Sequence, residues 1–140
     1  MKKTTIWLSA LFLMFLSLTA MSRTCDRDEY DKAEYLSIKA GKILVNKYGG
    51  GRDIRVSMTS CEFNSYSGIF KTNIGVYWNG KIFSDNSYNI DGEITMKSDG
   101  SGVEFSQTYA NEAVQDLDFW RGAFAGAVLL GTIASENGTQ

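Results

Sequence analysis

Two β-strands and the turn between them can be recognised in residues 70–96, FKTNIGVYWNGKIFSDNSYNIDGEITM. Alternate side chains of a strand point to opposite faces of a sheet, and here one parity of each strand is mostly apolar. Asn79-Gly80 joins them, a dipeptide typical of a type I′ hairpin turn, because both positions tolerate a positive φ. A polar interruption at residues 84–87 is interpreted as a bulge or a bend in the return strand. The apolar positions are Phe70, Ile74, Val76 and Trp78 in the first strand and Ile82, Tyr88, Ile90, Ile94 and Met96 in the second.

The chain on either side of this hairpin repeats the alternating pattern. Apolar residues of one parity predict a strand before the hairpin and another after the turn at residues 98–102. The sequence contains no proline, which would interrupt a central strand. We therefore predict a four-stranded antiparallel meander, whose outer strands are marked by Ile54, Val56 and Met58 and by Val103, Phe105 and Tyr109.

Helices are predicted at both ends of the meander. Asp26 and Glu29 have the spacing of a capping box, which places the first helix at about Asp26 to Tyr48, before the glycines at 49–51. Asn111 is the predicted N-cap of a last helix that extends towards Gly138. Apolar residues recur at helical spacing in both segments. They are Ala33, Leu36, Ala40, Ile43 and Leu44 in the first and Ala113, Leu117, Trp120, Phe124 and Val128 in the last.

These elements predict an α+β fold, a two-layer sandwich in which both helices cover one face of the sheet. The order of a helix followed by a meander is similar to the topology of cystatin-like and NTF2-like architectures. No sequence motif of either family is present.

The amino terminus has the pattern of a secretion signal. Lys2 and Lys3 precede an apolar run from Ile6 to Ala20, and small residues lead to a predicted cleavage after Ser22. The run is shorter than the roughly 20 residues that span a bilayer, so an uncleaved anchor is less favoured. A lipoprotein is less favoured too. We expect a signal peptide at 1–22, a single α+β domain at 23–140 and an exported, periplasmic or extracellular protein.

The two cysteines are predicted to form a disulfide, because an even pair in an exported chain is normally bridged. The first helix carries the chain about 34 Å from Cys25, and an eight-residue strand returns it by roughly 26 Å, close to Cys61. Strict alternation from Met58 would place Cys61 on the outer face of the sheet. Either the strand bulges near Ser60, or the disulfide wraps the end of the strand.

Composition excludes several kinds of chemistry. The sequence has no histidine, which removes Ser-His and Cys-His nucleophilic pairs and most zinc sites, so we expect neither a metal nor a cofactor. The net charge of −2 becomes more negative once the two lysines of the signal peptide are removed, and no basic cluster remains to bind nucleic acid.

Four aromatic residues are the candidate binding residues: Tyr66, Tyr77, Trp78 and Tyr88. Aromatic side chains at a rim are favoured contact anchors, although packing within the fold would also explain them. They favour an exported, non-enzymatic binding protein, such as an inhibitor, an immunity-type protein or a small-ligand carrier. The alternative is a small hydrolase of the cell envelope that uses two carboxylates. Its candidate residues are Asp85, Asp91, Glu93, Asp99 and Glu104.

The spacing of Gly122 and Gly126 matches a motif for close helix packing. It predicts either core packing of the last helix or self-association through it. The apolar residues that follow Arg121 are too few to span a bilayer. The identity of a protein or small-molecule partner is not written in the sequence.

Overall fold

The computed structural model describes residues 22–121, 127–131 and 133 of the chain. Its six strands form one antiparallel sheet in the order of the sequence, and two helices accompany it. The α+β class is therefore confirmed, whereas the prediction of four strands is wrong, because the sheet gains a strand at each edge. The elements are β1 (Ser22–Thr24), α1 (Arg27–Lys47), β2 (Arg52–Asn64), β3 (Ile69–Asn79), β4 (Ser87–Lys97), β5 (Val103–Ala110), α2 (Glu112–Arg121) and β6 (Ala127–Gly131).

The connection between β3 and β4 differs from the predicted hairpin. A two-residue turn at Asn79-Gly80 would pair Trp78 with Lys81 and so place a charged side chain beside the core. The observed register instead pairs Trp78 with Tyr88, and it continues without interruption along both strands. This register buries the apolar face of both strands, as a packed sheet requires. Residues 80–86 consequently form a loop, and Ile82 lies in this loop rather than in β4.

The first helix forms as its sequence predicts. The Glu29 amide donates to Asp26 Oδ1 at 2.8 Å, and the Asp26 amide donates to Glu29 Oε1 at 2.9 Å, which completes the capping box. The C-cap is Tyr48, and glycines with positive φ follow it. Four of the five predicted apolar positions are buried, and Ile43 is partly buried.

The disulfide between Cys25 and Cys61 is confirmed, with their Cα atoms 5.5 Å apart. The register of β2 against β3 shifts between Met58 and Ser60, so the bulge is the alternative that the structure adopts. Because of this extra residue, Met58 and Cys61 are both buried although three positions separate them.

The prediction of a long last helix is wrong. Asn111 does cap α2, since its Oδ1 accepts from the Val114 amide at 3.2 Å, but the described helix ends at Arg121. Val128, assigned to the apolar stripe of that helix, lies in β6 and pairs with Phe105. A short apolar run next to glycines is equally compatible with a strand, and the open edge of β5 offers it backbone hydrogen bonds. Gly122 and Gly126, to which self-association was assigned, lie outside the described residues.

Both helices contribute to the same buried layer. The ring of Tyr48, at the end of α1, lies 5.8 Å from that of Trp78. Leu117 of α2 lines one cavity together with Trp78 and Tyr88. The opposite parity of β3 carries more exposed side chains, for example that of Asn73, and is called the outer face here.

Candidate functional site

The four candidate aromatics do not form one cluster. Tyr77, Trp78 and Tyr88 lie together where β3 ends and β4 begins. Tyr66 lies in the turn between β2 and β3, at the opposite end of β3, where 74% of it is exposed. An eleven-residue strand is about 36 Å long, so Tyr66 belongs to a different surface.

Trp78 and Tyr88 belong to the core. The indole of Trp78 is fully buried, and its ring stacks on that of Tyr88 with centroids 5.2 Å apart. Tyr88 retains a small exposed fraction, and its hydroxyl accepts a hydrogen bond from the Asn86 side chain at 3.4 Å. These two side chains are therefore packed below the surface, and neither is exposed enough to anchor a partner.

Tyr77 points to the outer face, as its parity predicts, but it is held in place there. Its hydroxyl oxygen lies 3.2 Å from Asn79 Oδ1 and 3.2 Å from Ser87 Oγ, within hydrogen-bond distance of both, so it links the ends of β3 and β4. The guanidinium of Arg55 lies 5.7 Å from the centre of the ring. Tyr77 is only partly exposed, and these contacts favour a structural role.

Among the described residues, the two most exposed large apolar side chains belong to the loop between β3 and β4, residues 80–86, which is called the β3–β4 loop below. Ile82 is 75% exposed and Phe83 is fully exposed. The Gly80 amide donates to the Asn86 carbonyl at 2.9 Å, and the Ser84 amide donates to the Lys81 carbonyl at 2.9 Å. These bonds close the loop and hold its apolar tip outward.

The alternating pattern places Ile82 in a strand and therefore does not predict this exposed tip. The pair Ile82-Phe83 is the feature of the sequence that indicates an exposed apolar side chain here. In a strand, two consecutive residues point to opposite faces of the sheet, so only one of them could face the core. Phe83 also has a φ of 75°, in a region that non-glycine residues adopt uncommonly.

A cavity of about 280 Å³ lies beneath the β3–β4 loop. It combines aromatic walls with several hydrogen-bond donors. It is lined by Tyr48, Gly49, Gly50, Trp78, Gly80, Lys81, Ser84, Tyr88 and Leu117.

The candidate carboxylates do not converge on one concavity. Asp91 lines a cavity of about 310 Å³ on the outer face, and none of the other four lines it. Glu93 forms an ion pair with Lys71 at 3.7 Å, and Glu104 is exposed on β5. Hydrogen bonds from the Ser101 hydroxyl and amide lower the pKa of Asp99, whereas a general acid needs a raised pKa. Of these five candidates, Asp91 alone faces the cavity of about 310 Å³.

Two further observations bear on metals and membranes. Among residues 22–121, 127–131 and 133, no group of three or more acidic or thiol side chains lies close enough to hold a metal ion. No helix in the described part of the chain is long and apolar enough to cross a membrane.

Comparison with known proteins gives no family. The chain matches no protein-family model, no curated protein and no solved structure at a significant level. The similarity in topology to cystatin-like and NTF2-like architectures therefore carries no functional assignment.

Proposed function

We propose that this protein is an exported, non-enzymatic binding protein that contacts a protein partner through the β3–β4 loop. The observation that carries the proposal is the exposure of Ile82 and Phe83 side by side at the tip of an ordered loop. Burying one such side chain in an interface is worth about 1.5–3 kcal/mol. Apolar side chains of this size are favoured anchors when a partner pocket receives them.

The backbone of Phe83 supports the same proposal. A non-glycine residue with φ of 75° costs of the order of 1 kcal/mol, and the fold keeps it although the side chain contributes nothing to the core. Strain of this kind is concentrated at binding and switch segments. The loop therefore holds a contact residue outward at the expense of stability.

Export is supported by the disulfide, because such bonds persist mainly in oxidising compartments. The predicted signal peptide gives the same compartment. Cleavage after Ser22 would leave Arg23 and Thr24 to form the remaining part of β1. Intact mass of the exported product is expected to correspond to a chain that begins at Arg23.

Substitution of Phe83 tests the proposed contact. Protein 23–140 is immobilised and exposed to the envelope fraction of its natural host, and captured proteins are identified by mass spectrometry. With the purified partner, Phe83→Ser should weaken binding at least about tenfold. Its free energy of unfolding should differ from that of the wild type by less than about 0.5 kcal/mol.

Tyr66→Ser is the matched control, since Tyr66 is as exposed as Ile82 but lies at the other end of the sheet. It should leave partner affinity unchanged. If Phe83→Ser and Tyr66→Ser retain the same partner with equal affinity, the loop is not the contact surface and the proposal is wrong.

A further inference from the structure

The outer face of the sheet carries a cavity of about 310 Å³ that extends across strands β2 to β5. Gly75 of β3 forms part of its floor. A Cβ built on Gly75 would stand 3.0 Å from Asp91 Oδ1 and 3.4 Å from Ser57 Oγ, so a larger residue there would narrow the space between these two side chains. The cavity is lined by Ser57, Thr59, Asn73, Ile74, Gly75, Asp91, Gly92 and Thr108.

Two β-bulges supply hydroxyl groups to this cavity from opposite sides. The pairing of β2 with β3 skips Thr59, and the pairing of β5 with β4 skips Thr108. Both threonines are exposed, and both line the cavity. A bulge bends its strand and changes the direction of a side chain, and bulges are over-represented next to functional sites. Two independent bulges that direct threonines into one cavity therefore indicate a binding site.

Several polar groups of the cavity keep hydrogen-bonding capacity. The side chain of Asn73 donates to Ser60 Oγ at 2.7 Å, which leaves its amide oxygen as an acceptor. Asp91 Oδ1 accepts from the Asn89 side chain at 3.5 Å, and Asp91 Oδ2 accepts no hydrogen bond from the described residues. A carboxylate can accept about four hydrogen bonds, so most of the capacity of Asp91 is available to a ligand.

The lining restricts the charge of such a ligand. Among the described residues that line the cavity, none is basic, so an anion would lack a counter-charge. Asp91 is the one carboxylate among them, whereas a metal ion is usually bound by several oxygen ligands. An organic cation could pair with Asp91, but it would offer no acceptor to the hydroxyl hydrogens of Ser57 and Thr108. A neutral ligand that both donates and accepts hydrogen bonds fits this lining best.

A sugar has these properties, because each of its hydroxyl groups both donates and accepts. Two tyrosines on the same face suit the apolar C–H groups of a sugar ring. Tyr109, which is 51% exposed, pairs with Asp91, and Tyr77 lies two positions from Gly75. Small-molecule sites combine such apolar surfaces with a few polar groups, in cavities of about 300–1,000 Å³.

We propose that this cavity binds a neutral sugar unit of an oligosaccharide. Asp91 and the Asn73 amide oxygen accept hydrogen bonds from the sugar hydroxyls, and the hydroxyl groups of Ser57 and Thr108 donate to sugar oxygens. The site binds without hydrolysing, since glycoside hydrolysis normally uses two carboxylates. It goes beyond the proposed protein contact, because Gly75 lies roughly 16 Å along β3 from the β3–β4 loop.

Solution NMR of protein 23–140 tests the site through the backbone amide resonances of Gly75 and Thr108. The probes are three neutral oligosaccharides: cellotriose, maltotriose and chitotriose. The control compounds are tetraethylene glycol, which is mostly ether oxygens, and 1,4-diaminobutane, a cation without hydroxyl groups. At least one of the three sugars should shift both resonances in a saturable way, and the control compounds should not.

Two pairs of variants assign the binding to named groups. Asp91→Asn should weaken sugar binding about tenfold, because a hydrogen bond to a charged acceptor is lost. Its matched control is Glu93→Gln, which removes a carboxylate from the same face of β4 but outside the cavity lining.

Thr108→Val removes the hydroxyl group at the bulge of β5 and keeps the shape of the side chain. It should weaken binding about threefold to tenfold, the scale of one neutral hydrogen bond. Thr95→Val, on the same face of β4 but outside the cavity lining, is its control and should leave the affinity unchanged. The rest of each spectrum verifies that the fold is retained.

Three outcomes would overturn the inference. The first is that none of the three sugars shifts the Gly75 and Thr108 resonances. The second is that Asp91→Asn weakens binding no more than Glu93→Gln does. The third is that 1,4-diaminobutane shifts these resonances and the sugars do not, which would make the site one for a cation. None of these outcomes affects the proposed protein contact, which is tested through Phe83 and a captured partner.

Discussion

The two ends of the sheet, the one near the disulfide and the one at the β3–β4 loop, differ in the bonds that their side chains make. At the disulfide end, Cys25 is bonded to Cys61, Glu29 completes a capping box, and Arg23 pairs with Glu29 at 2.6 Å. At the loop end, the buried indole N–H of Trp78 has no hydrogen-bond partner in the described part of the chain, and Phe83 is fully exposed. The disulfide end therefore holds the covalent crosslink and the capping box, whereas the loop end holds the unpaired indole N–H and the exposed tip. Binding surfaces are recruited from regions that are not optimised for stability, so the comparison favours the loop end as the functional end.

The largest effect on stability is expected from the disulfide. Cys61→Ala should lower the free energy of unfolding by about 2–5 kcal/mol, because the unfolded chain regains the entropy of an open loop. Denaturation by urea measures the change, and the double variant Cys25→Ala with Cys61→Ala controls for the thiol left on Cys25. If Cys61→Ala lowers the free energy of unfolding no more than Phe83→Ser does, the two ends do not differ in their contribution to stability.

A smaller loss of stability is expected from adding a methyl group beside the indole of Trp78. A methyl group at Gly51 would lie 2.4 Å from Trp78 Cδ1 and 2.5 Å from the Asn79 carbonyl oxygen. Overpacking of this kind costs about 1–3 kcal/mol, so Gly51→Ala should lower the melting temperature.

Gly75→Ala is the matched control on the outer face of β3. There the nearest atom is a terminal oxygen of Asp91 at 3.0 Å, which can move aside. If Gly51→Ala is as stable as Gly75→Ala, Gly51 does not fix the position of Trp78, and the contrast between the ends becomes weaker.

The sequence was informative where one local rule decided the structure. The spacing of Asp26 and Glu29 predicted the start of α1, and the parity conflict between Met58 and Cys61 indicated either a bulge in β2, which is observed, or a disulfide that wraps the strand end. Both features depend on neighbours within a few positions of the chain.

The sequence was less informative where two patterns competed. Asn79-Gly80 is a strong turn signal, yet the register that pairs Trp78 with Tyr88 overrides it, because register is set by burial along the whole strand. Residues 127–131 are apolar enough for a helix or a strand, and only the open edge of β5 decides between them. For the same reason the apolar tip at Phe83 could not be located until the register was known.

The smallest expected effect concerns the ion pair at the disulfide end. The hydrogen bond from Arg23, followed by that from the Asp26 amide, lowers the pKa of Glu29. A carboxylate with a lower pKa in the folded state stabilises the fold above its unfolded pKa of about 4.3, and this contribution is lost as the pH falls through the folded value. Glu29→Gln should therefore be less stable than the wild type at neutral pH and should approach it at acidic pH.

Urea denaturation at several pH values measures this difference, with Glu104→Gln as the control because Glu104 has no ion pair among the described residues. Arg23 is exposed and Glu29 is partly exposed, so the effect is expected to be modest and to decrease with added salt. A stability difference that persists unchanged at acidic pH would show that Glu29 acts through its shape or packing and not through its charge. The disulfide end would then rest on Cys25–Cys61 and the helix cap, and its contrast with the loop end would no longer involve electrostatics.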